Sequence, residues 1–369
     1  MTAAEETAAE ETAVPGTLVL PGVLDARQAA ATVRSILADQ RPDGAIPWFG
    51  GGHLDPWDHT EAAMALDAAG EHRSAEAAYR WLAGAQNADG SWYASYTGGT
   101  PDNLAKETNF CAYIAVGVWH HYLSTGDDTF LDGIWPTVRR AVDFVVGLQL
   151  PGGAVSWRRE ADGTAVAEAL LTGSSSILHA LRCALAAADH LEEPQPDWEL
   201  AAGRLAHAVA HHPERFLDKG RYSMDWYYPV LGTALRGPAA QQRITEGWDR
   251  FVVPGFGVRC VSDRPWVTGG ESAELALALW AVGQSDRALD ILRWIQRLRH
   301  HDGSYWTGYV FEDDAFWPEE RTTWTAGSLL LAVAALGGDH ATGTVFGGDR
   351  LPTGLAVADC CEARGGSRT

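Results

Sequence analysis

The sequence predicts an all-α ring of six helical hairpins, an (α/α)6 toroid with inner and outer rings. Three observations predict it. Twelve stretches carry apolar residues at helical spacing, with Gly, Pro or Asp at the breaks. The stretches alternate between a polar-faced kind and a nearly all-apolar kind, and the connections between them alternate between long and short.

The first member of each pair spans roughly 25–40, 72–86, 128–149, 197–215, 238–251 and 285–299, and carries an Arg-, Asp- and Glu-rich face that suits an outer ring. The second member spans roughly 57–69, 107–125, 170–190, 224–235, 270–283 and 318–336. Segments such as Glu61 to Ala69 and Ser272 to Trp280 are apolar nearly all round, as buried inner helices are. Turns from an inner helix to the next outer one are short, as at Ala69-Gly70-Glu71, Thr125-Gly126-Asp127 and Gly283-Gln284-Ser285. The opposite connections run roughly over 41–56, 87–106, 150–169, 216–223, 252–269 and 300–317. Loops beyond about 12–15 residues are uncommon unless they carry function. The functional groups are therefore expected at the long-loop end.

One unbroken repeat argues for one large domain, residues 21–340, between a disordered acidic N-terminal tail, 1–20, and an irregular C-terminal tail, 341–369. The formal charge of −20 repels phosphate backbones and no basic stripe offsets it, which argues against nucleic acid as a partner. No apolar run reaches the roughly 18 residues of a membrane helix, so no membrane span is expected. Met1 to Thr12 lacks the features of a signal peptide, and the five cysteines have no metal-type spacing. A reduced, cytoplasmic setting fits. The doublets His120-His121, His211-His212 and His300-His301 place adjacent rings about 100° apart on a helix, which chelates poorly, so no metal is expected. Ser174-Ser175-Ser176 reads as a helix start, and Asp127-Asp128 as an outer-helix cap.

The stretch Gln86-Asn-Ala-Asp-Gly90-Ser-Trp92 ends an outer helix and enters a long loop, with looser copies at Gln40 to Trp48, Gln149 to Trp157 and Arg299 to Trp306. Glycine supplies the positive φ at the helix end and the aromatic packs back over it. This pattern resembles the QW repeat of squalene and oxidosqualene cyclases, whose α-toroid relatives include protein prenyltransferases. The cyclases' Asp-x-Asp-Asp motif is not present; the nearest stretch is Phe311-Glu312-Asp313-Asp314. A longer resemblance, through Lys106-Glu107-Thr-Asn109, His120 to Phe130, Trp135 to Arg139 and Glu312 to Glu320, is to six-hairpin glycosidases of the glucoamylase-like type. That resemblance implies the toroid and a carbohydrate-active enzyme.

Carboxylates accompany aromatics on the long-loop side. The candidates for substrate binding are Trp57, Asp58, Glu61, Glu107, Asn109, Asp225, Trp226, Asp263, Arg264, Trp266, Trp306, Trp317 and Glu319. Sugars lay flat C–H faces on aromatic rings and bond their hydroxyls to carboxylate, amide and guanidinium groups, so the expected partner is a small-molecule or oligosaccharide substrate. Glycoside hydrolysis needs one protonated carboxyl and one carboxylate, and no metal or cofactor. Glu271 is expected as the acid, with Glu312 or Asp313 as the base. Two bland alternatives stand beside these roles: Asp58 as the N-cap of its helix, and Glu61 as a first-turn charge. The competing functions are an isoprenoid enzyme, which requires a deep apolar chamber, and a non-catalytic glycan-binding ring.

Overall fold

The computed structural model describes residues 14–356. The expected N-terminal tail as far as residue 13, and residues 357–369 with Cys360 and Cys361, lie outside the described residues. The outer helices are α1 (Ala26–Asp39), α3 (His72–Ala85), α6 (Asp128–Val146), α8 (Pro196–His211), α10 (Gly237–Phe251) and α12 (Ser285–Trp294). The inner ones are α2 (Pro56–Ala68), α4 and α5 (Thr108–Ala112, Ile114–Thr125), α7 (Leu171–His190), α9 (Ser223–Leu231), α11 (Gly269–Ala281) and α13 (Thr323–Leu336). Contacts run α2–α5–α7–α9–α11–α13 and back to α2, a closed ring.

The sequence accounts for several helix starts. Asp25 and Gln28 form a reciprocal capping box on α1, and Asp127 accepts from Phe130 N to cap α6 as expected. Nearly every residue of α2 and α13 is buried, whereas α1 and α3 bury one stripe. The expected start of the last inner helix at 318 is corrected to Thr323, because 317–322 pairs with the preceding segment: Trp317 N donates to Gly308 O, Thr307 N to Glu320 O and Thr322 N to Tyr305 O. Those backbone groups are already satisfied outside a helix.

The glutamine–glycine motif does a specific job. Gln40, Gln86 and Gln149 each donate Nε2 to two carbonyls, one in their own turn (Gly44, Gly90, Gly153) and one on the next outer helix or its start (Ser74, Thr137, Ala201), at 2.9–3.0 Å. The glycine then lies flat against that neighbour's backbone. A Cβ on Gly90, at φ +89°, would sit 2.1 Å from Arg140 O, and one on Gly303 would meet Ala31 of α1 at 2.4 Å. The last contact joins the end of the chain's ring to its beginning.

Both ends of the domain reach beyond the expected limits. Leu18, in a 3-10 turn Gly16–Leu18, is fully buried, which corrects the disordered tail to 20 over its described part. The chain after 340 is not irregular at first: it forms α14 (His340–Gly347), which packs on α5, α11 and α13 and buries Val345 and Phe346. His120 Nε2 meets Thr342 Oγ1 and His179 Nε2 meets Val345 O, both at 3.0 Å. Arg182 then donates to the carbonyls of Gly348, Leu351 and Pro352. The helix plugs the short-turn end of the ring, leaving the long-loop end as the mouth.

The long loops pair with one another there. Strands β1 (His53–Leu54), β2 (Ser95–Thr97) and β3 (Thr100–Asn103) form one antiparallel sheet, and β4 (Lys106–Glu107) pairs with β5 (Arg158–Arg159). Strands β6 (Val252–Val253), β7 (Gly257–Arg259), β8 (Trp266–Thr268), β9 (Gly308–Val310) and β10 (Ala315–Phe316) form a five-stranded antiparallel sheet in which Trp266 faces Val310. Strands of two to four residues are too short to leave a period in the sequence. No single helix among the described residues is long and apolar enough to cross a membrane.

Gly90→Ala combines a left-handed backbone with a collision against a main-chain oxygen, so it should cost at least about 3 kcal/mol in urea unfolding. Gly126→Ala shares the positive φ (+66°) but has open space around it and should cost only about 1 kcal/mol.

Candidate active site

The inner helices begin at the mouth, so their first turns present side chains to it. Asp55 caps α2, its Oδ1 accepting from Trp57 N at 2.9 Å and Asp58 N at 3.0 Å, while Pro56 takes the position whose N–H is unused. The expectation that Asp58 is the cap is thereby corrected. Its carboxyl is left over for the site.

Asp58 and Glu61 stand three residues apart on α2, and Glu271 and Glu274 repeat that spacing on α11, so each pair shares a helix face. The two faces feel each other's charge. Burial pushes the Asp58 carboxyl well above the usual carboxylate range, reinforced by the charge and hydrogen bond of Asp55 and by the charges of Glu61 and Glu274. Burial also pushes Glu61, 1% exposed, up to about 8, against the hydrogen bond it accepts from Trp324 Nε1 at 3.2 Å. Trp57 Nε1 faces the same carboxyl and has no other partner.

Glu274 was missing from the sequence candidates. It is fully buried, accepts hydroxyl hydrogens from Tyr227 and, at 3.1 Å, Tyr228, and is raised well above its ordinary value by burial and then by Glu61. Its signal was present as a carboxylate three residues after Glu271 on an otherwise apolar helix. Glu271 is 5% exposed, lies against the Cys260 thiol and has an Oε2 without a hydrogen-bond partner. A buried carboxylate oxygen with no internal partner is costly unless it meets a ligand. Asp58, Glu61 and Glu274 are thus all raised, because crowded carboxyls away from water cannot all ionise easily.

Aromatic rings wall this group. Trp48 stacks on Trp324 at 5.6 Å and on His53 at 5.5 Å, and Trp57 meets Tyr228 edge-on at 5.4 Å. Glu107, on β4 opposite Arg158, is pushed to about 7 by burial and the charge of Asp55, with Arg158 acting in the opposite sense. Asn109 is buried in α4 beside Gly173.

Several expected residues are placed elsewhere. Asp225 accepts from Thr172 N at 3.2 Å and Thr172 Oγ1 at 2.6 Å, so it caps the start of α7. Trp226 stacks on Phe251 at 5.3 Å over Gly247 and donates to Arg243 O, filling the seam between α9 and α10. Asp263 pairs with Arg221 at 2.9 Å on the surface, with Arg264 exposed beside it. Trp266, Trp306 and Trp317 form a rim with the five-stranded sheet. Trp266 Nε1 donates to Trp317 O at 2.8 Å, Trp306 stacks on Phe316, and Trp317 is 54% exposed. Glu312 and Asp313 are exposed in the turn between β9 and β10, and Glu319 is exposed after it. None of these three joins the central group, in which Glu61, Glu271 and Glu274 are buried and Asp58 half-buried.

The raised carboxyl of Glu61 makes a pH prediction. Between about 4.5 and 8 the unfolded chain has lost this proton and the native chain keeps it, so stability falls as pH rises through that window and levels off above it. Melting temperatures recorded from pH 5 to 8.5 should show this slope in the wild type. Glu61→Gln, which has no proton to lose, should make it shallower, leaving the part due to Glu107 and the other raised carboxyls.

No family model matches the chain. Among solved structures, a glycosidase in complex with glucose superposes with a TM-score of 0.67 at 18% identity, covering 85% of this chain and 98% of that one. A D-mannose isomerase gives 0.63 at 12% identity over 83% of this chain and 96% of that one, which together establish the toroid. A segment of 89 residues, 24% of this chain and 14% of the relative, is 30% identical to an uncharacterized glycosyl hydrolase of Methanocaldococcus jannaschii. The MMP endo-(1,4)-3-O-methyl-alpha-D-mannosidase of Mycolicibacterium hassiacum is 53% identical over 352 residues, 95% of this chain and 97% of that one. The isoprenoid alternative gives way: the relatives are glycosidases, and carboxyls occupy the place where a carbocation enzyme needs an apolar chamber. The chain belongs to the family of that mannosidase and is a glycoside hydrolase of the six-hairpin (α/α)6 toroid type.

Proposed function

We propose that this protein cleaves internal α-(1,4) bonds of a 3-O-methylated mannose chain, with Asp58 as general acid and Glu271 as the opposing carboxylate. The observation that carries the reading is the contrast between the two groups: Asp58, freed from capping by Asp55, is raised well above the usual carboxylate range by burial and neighbouring carboxyls, while Glu271 keeps one buried oxygen with no internal partner. Asp58 donates its proton to the glycosidic oxygen as the C–O bond breaks, and Glu271 takes a proton from the water that attacks the anomeric carbon. This exchanges the role expected of Glu271 from sequence and replaces Glu312 and Asp313. Glu61, fixed by Trp324, and Glu274, fixed by two tyrosines, position the pair, and burial with the neighbouring Asp55 raises the proton affinity of Asp58.

The substrate class comes from the mannosidase relative and is supported by the mouth itself. O-methyl groups remove hydroxyl donors and add apolar surface, which suits walls of Trp48, Trp57 and Trp324 more than a fully polar groove does. The exposed rim of Trp266 and Trp317 offers stacking surface for further sugar units, as internal cleavage requires. A cytoplasmic site of action belongs to this reading, supported by the free thiols Cys111, Cys183 and Cys260. Nucleic acid has no place in it, given the net charge of −20.

Reducing-end release from a 3-O-methyl-mannan tests the assignment. Asp58→Asn and Glu271→Gln should each lower kcat at least about 1,000-fold with unchanged circular dichroism. Asp58→Asn should recover most of its activity on an aryl glycoside, whose leaving group needs no proton, and Glu271→Ala should be rescued by azide. Wild-type kcat in either variant overturns the assignment. Trp317→Ala should raise KM several-fold on long chains and leave the shortest hydrolysed oligomer unaffected.

A further inference from the structure

At the plugged end of the ring, opposite the mouth, three helices bring together side chains that the hydrolytic reading does not use. Asp67 lies in the last turn of α2, His72 is the first residue of α3, and His121 lies near the end of α5. Asp67 Oδ1 stands 2.8 Å from His121 Nδ1 and 3.1 Å from His72 Nδ1, and one donor atom from each of the three residues lies within 4.8 Å of the others. The geometry points to a binding site for one first-row divalent metal ion, Zn2+ foremost, held by Asp67, His72 and His121 as a structural clasp between α2, α3 and α5.

Two imidazole nitrogens and one carboxylate oxygen form a set that selects zinc and its first-row neighbours over magnesium or calcium. Bonds of about 2.0–2.2 Å to each donor require only the small adjustments that side chains make on binding. The site is preorganised. His121 is fully buried, with its ring held between Phe130 at 4.5 Å and Tyr79 at 5.7 Å, so its Nδ1 is fixed on Asp67. Tyr79 donates its hydroxyl to Asp67 Oδ2 at 3.3 Å and so fixes the carboxylate from the outer side. The His72 side chain is 38% exposed, which opens a path for the ion and leaves room for a water as fourth ligand. The adjacent His120 takes no part, because its ring turns the other way to Thr342. The doublet itself does not chelate; one member is completed by residues from two other helices.

This site is independent of the catalytic assignment, and its test uses no activity. The full-length protein is stripped with EDTA, dialysed, and titrated with ZnCl2 at pH 7.5 by calorimetry while melting temperature is followed. One Zn2+ should bind per chain, with proton release and a rise of a few degrees in Tm. His72→Ala removes a half-exposed ring at the edge of the site; it should fold normally, weaken zinc binding at least about tenfold and abolish the Tm rise. Asp67→Asn should do the same if it folds. Joint replacement of His211 and His300, which belong to other histidine groups, should change nothing. Absence of saturable zinc uptake in the wild type, or full retention of it in His72→Ala, overturns the proposal and leaves a purely hydrogen-bonded triad.

Discussion

The close seating of one glycine from each of four long loops on the backbone of an adjoining outer helix sets the spacing around much of the ring. Gly44, Gly90, Gly153 and Gly303 each bring a turn to a distance at which even a methyl group would strike main-chain atoms. In the first three the preceding glutamine ties that turn to the same neighbour with two hydrogen bonds. A turn so anchored has little freedom in where it sends the chain next. It must climb into the mouth, and the inner helix that follows must start there. The contact recurs in four of the six hairpins and helps gather the helix beginnings around one opening.

That arrangement explains why carboxyls accumulate at the mouth and how they are used. The first turn of a helix has free N–H groups and a favourable field for negative charge, and Asp55 uses them in the ordinary way. Once Asp55 has done so, Asp58 and Glu61 have no capping work and sit among apolar walls with Glu271 and Glu274 opposite. Burial and mutual repulsion then raise the proton affinity of Asp58, Glu61 and Glu274. On the proposed reading, a ring of this kind turns a common structural feature, the acidic first turn, into a proton donor for hydrolysis. The plug formed by α14 completes the device by making the ring a cup closed at the end away from substrate.

Much of the fold was legible because its signals are long. Inner helices such as α11 and α13 are apolar all round over thirteen or fourteen residues, and the expected spans of α1, α3 and α7 agree with the observed ones within one residue. The elements that escaped are short or depend on distant partners: strands of two to four residues, the retreat of α13 to Thr323, and α14, which is a helix because α5, α11 and α13 offer it a place to bury Phe346. The candidate site divides the same way. Trp57, Asp58, Glu61, Glu107 and Glu271 were marked by acidic and aromatic residues beside predicted inner-helix starts. Asp225 and Trp226 carry the same local signal and serve as a cap and a seam filler. Glu274 was passed over because it lies one turn inside an apolar helix, where a sequence gives no hint that two tyrosines await it.

By itself the sequence determined the ring, the order of inner and outer helices and the end of the molecule at which the long loops and their carboxyls gather. Each of these follows from periodicity, glycine punctuation and loop length, which are properties of neighbouring residues. Only the tertiary structure decided which carboxyl caps and which is free, that Glu271 keeps an unpartnered oxygen, and that Asp67, His72 and His121 meet at the other end. Those outcomes turn on burial and on groups tens or hundreds of residues apart, and proton affinity in a protein is set by what surrounds a carboxyl in space.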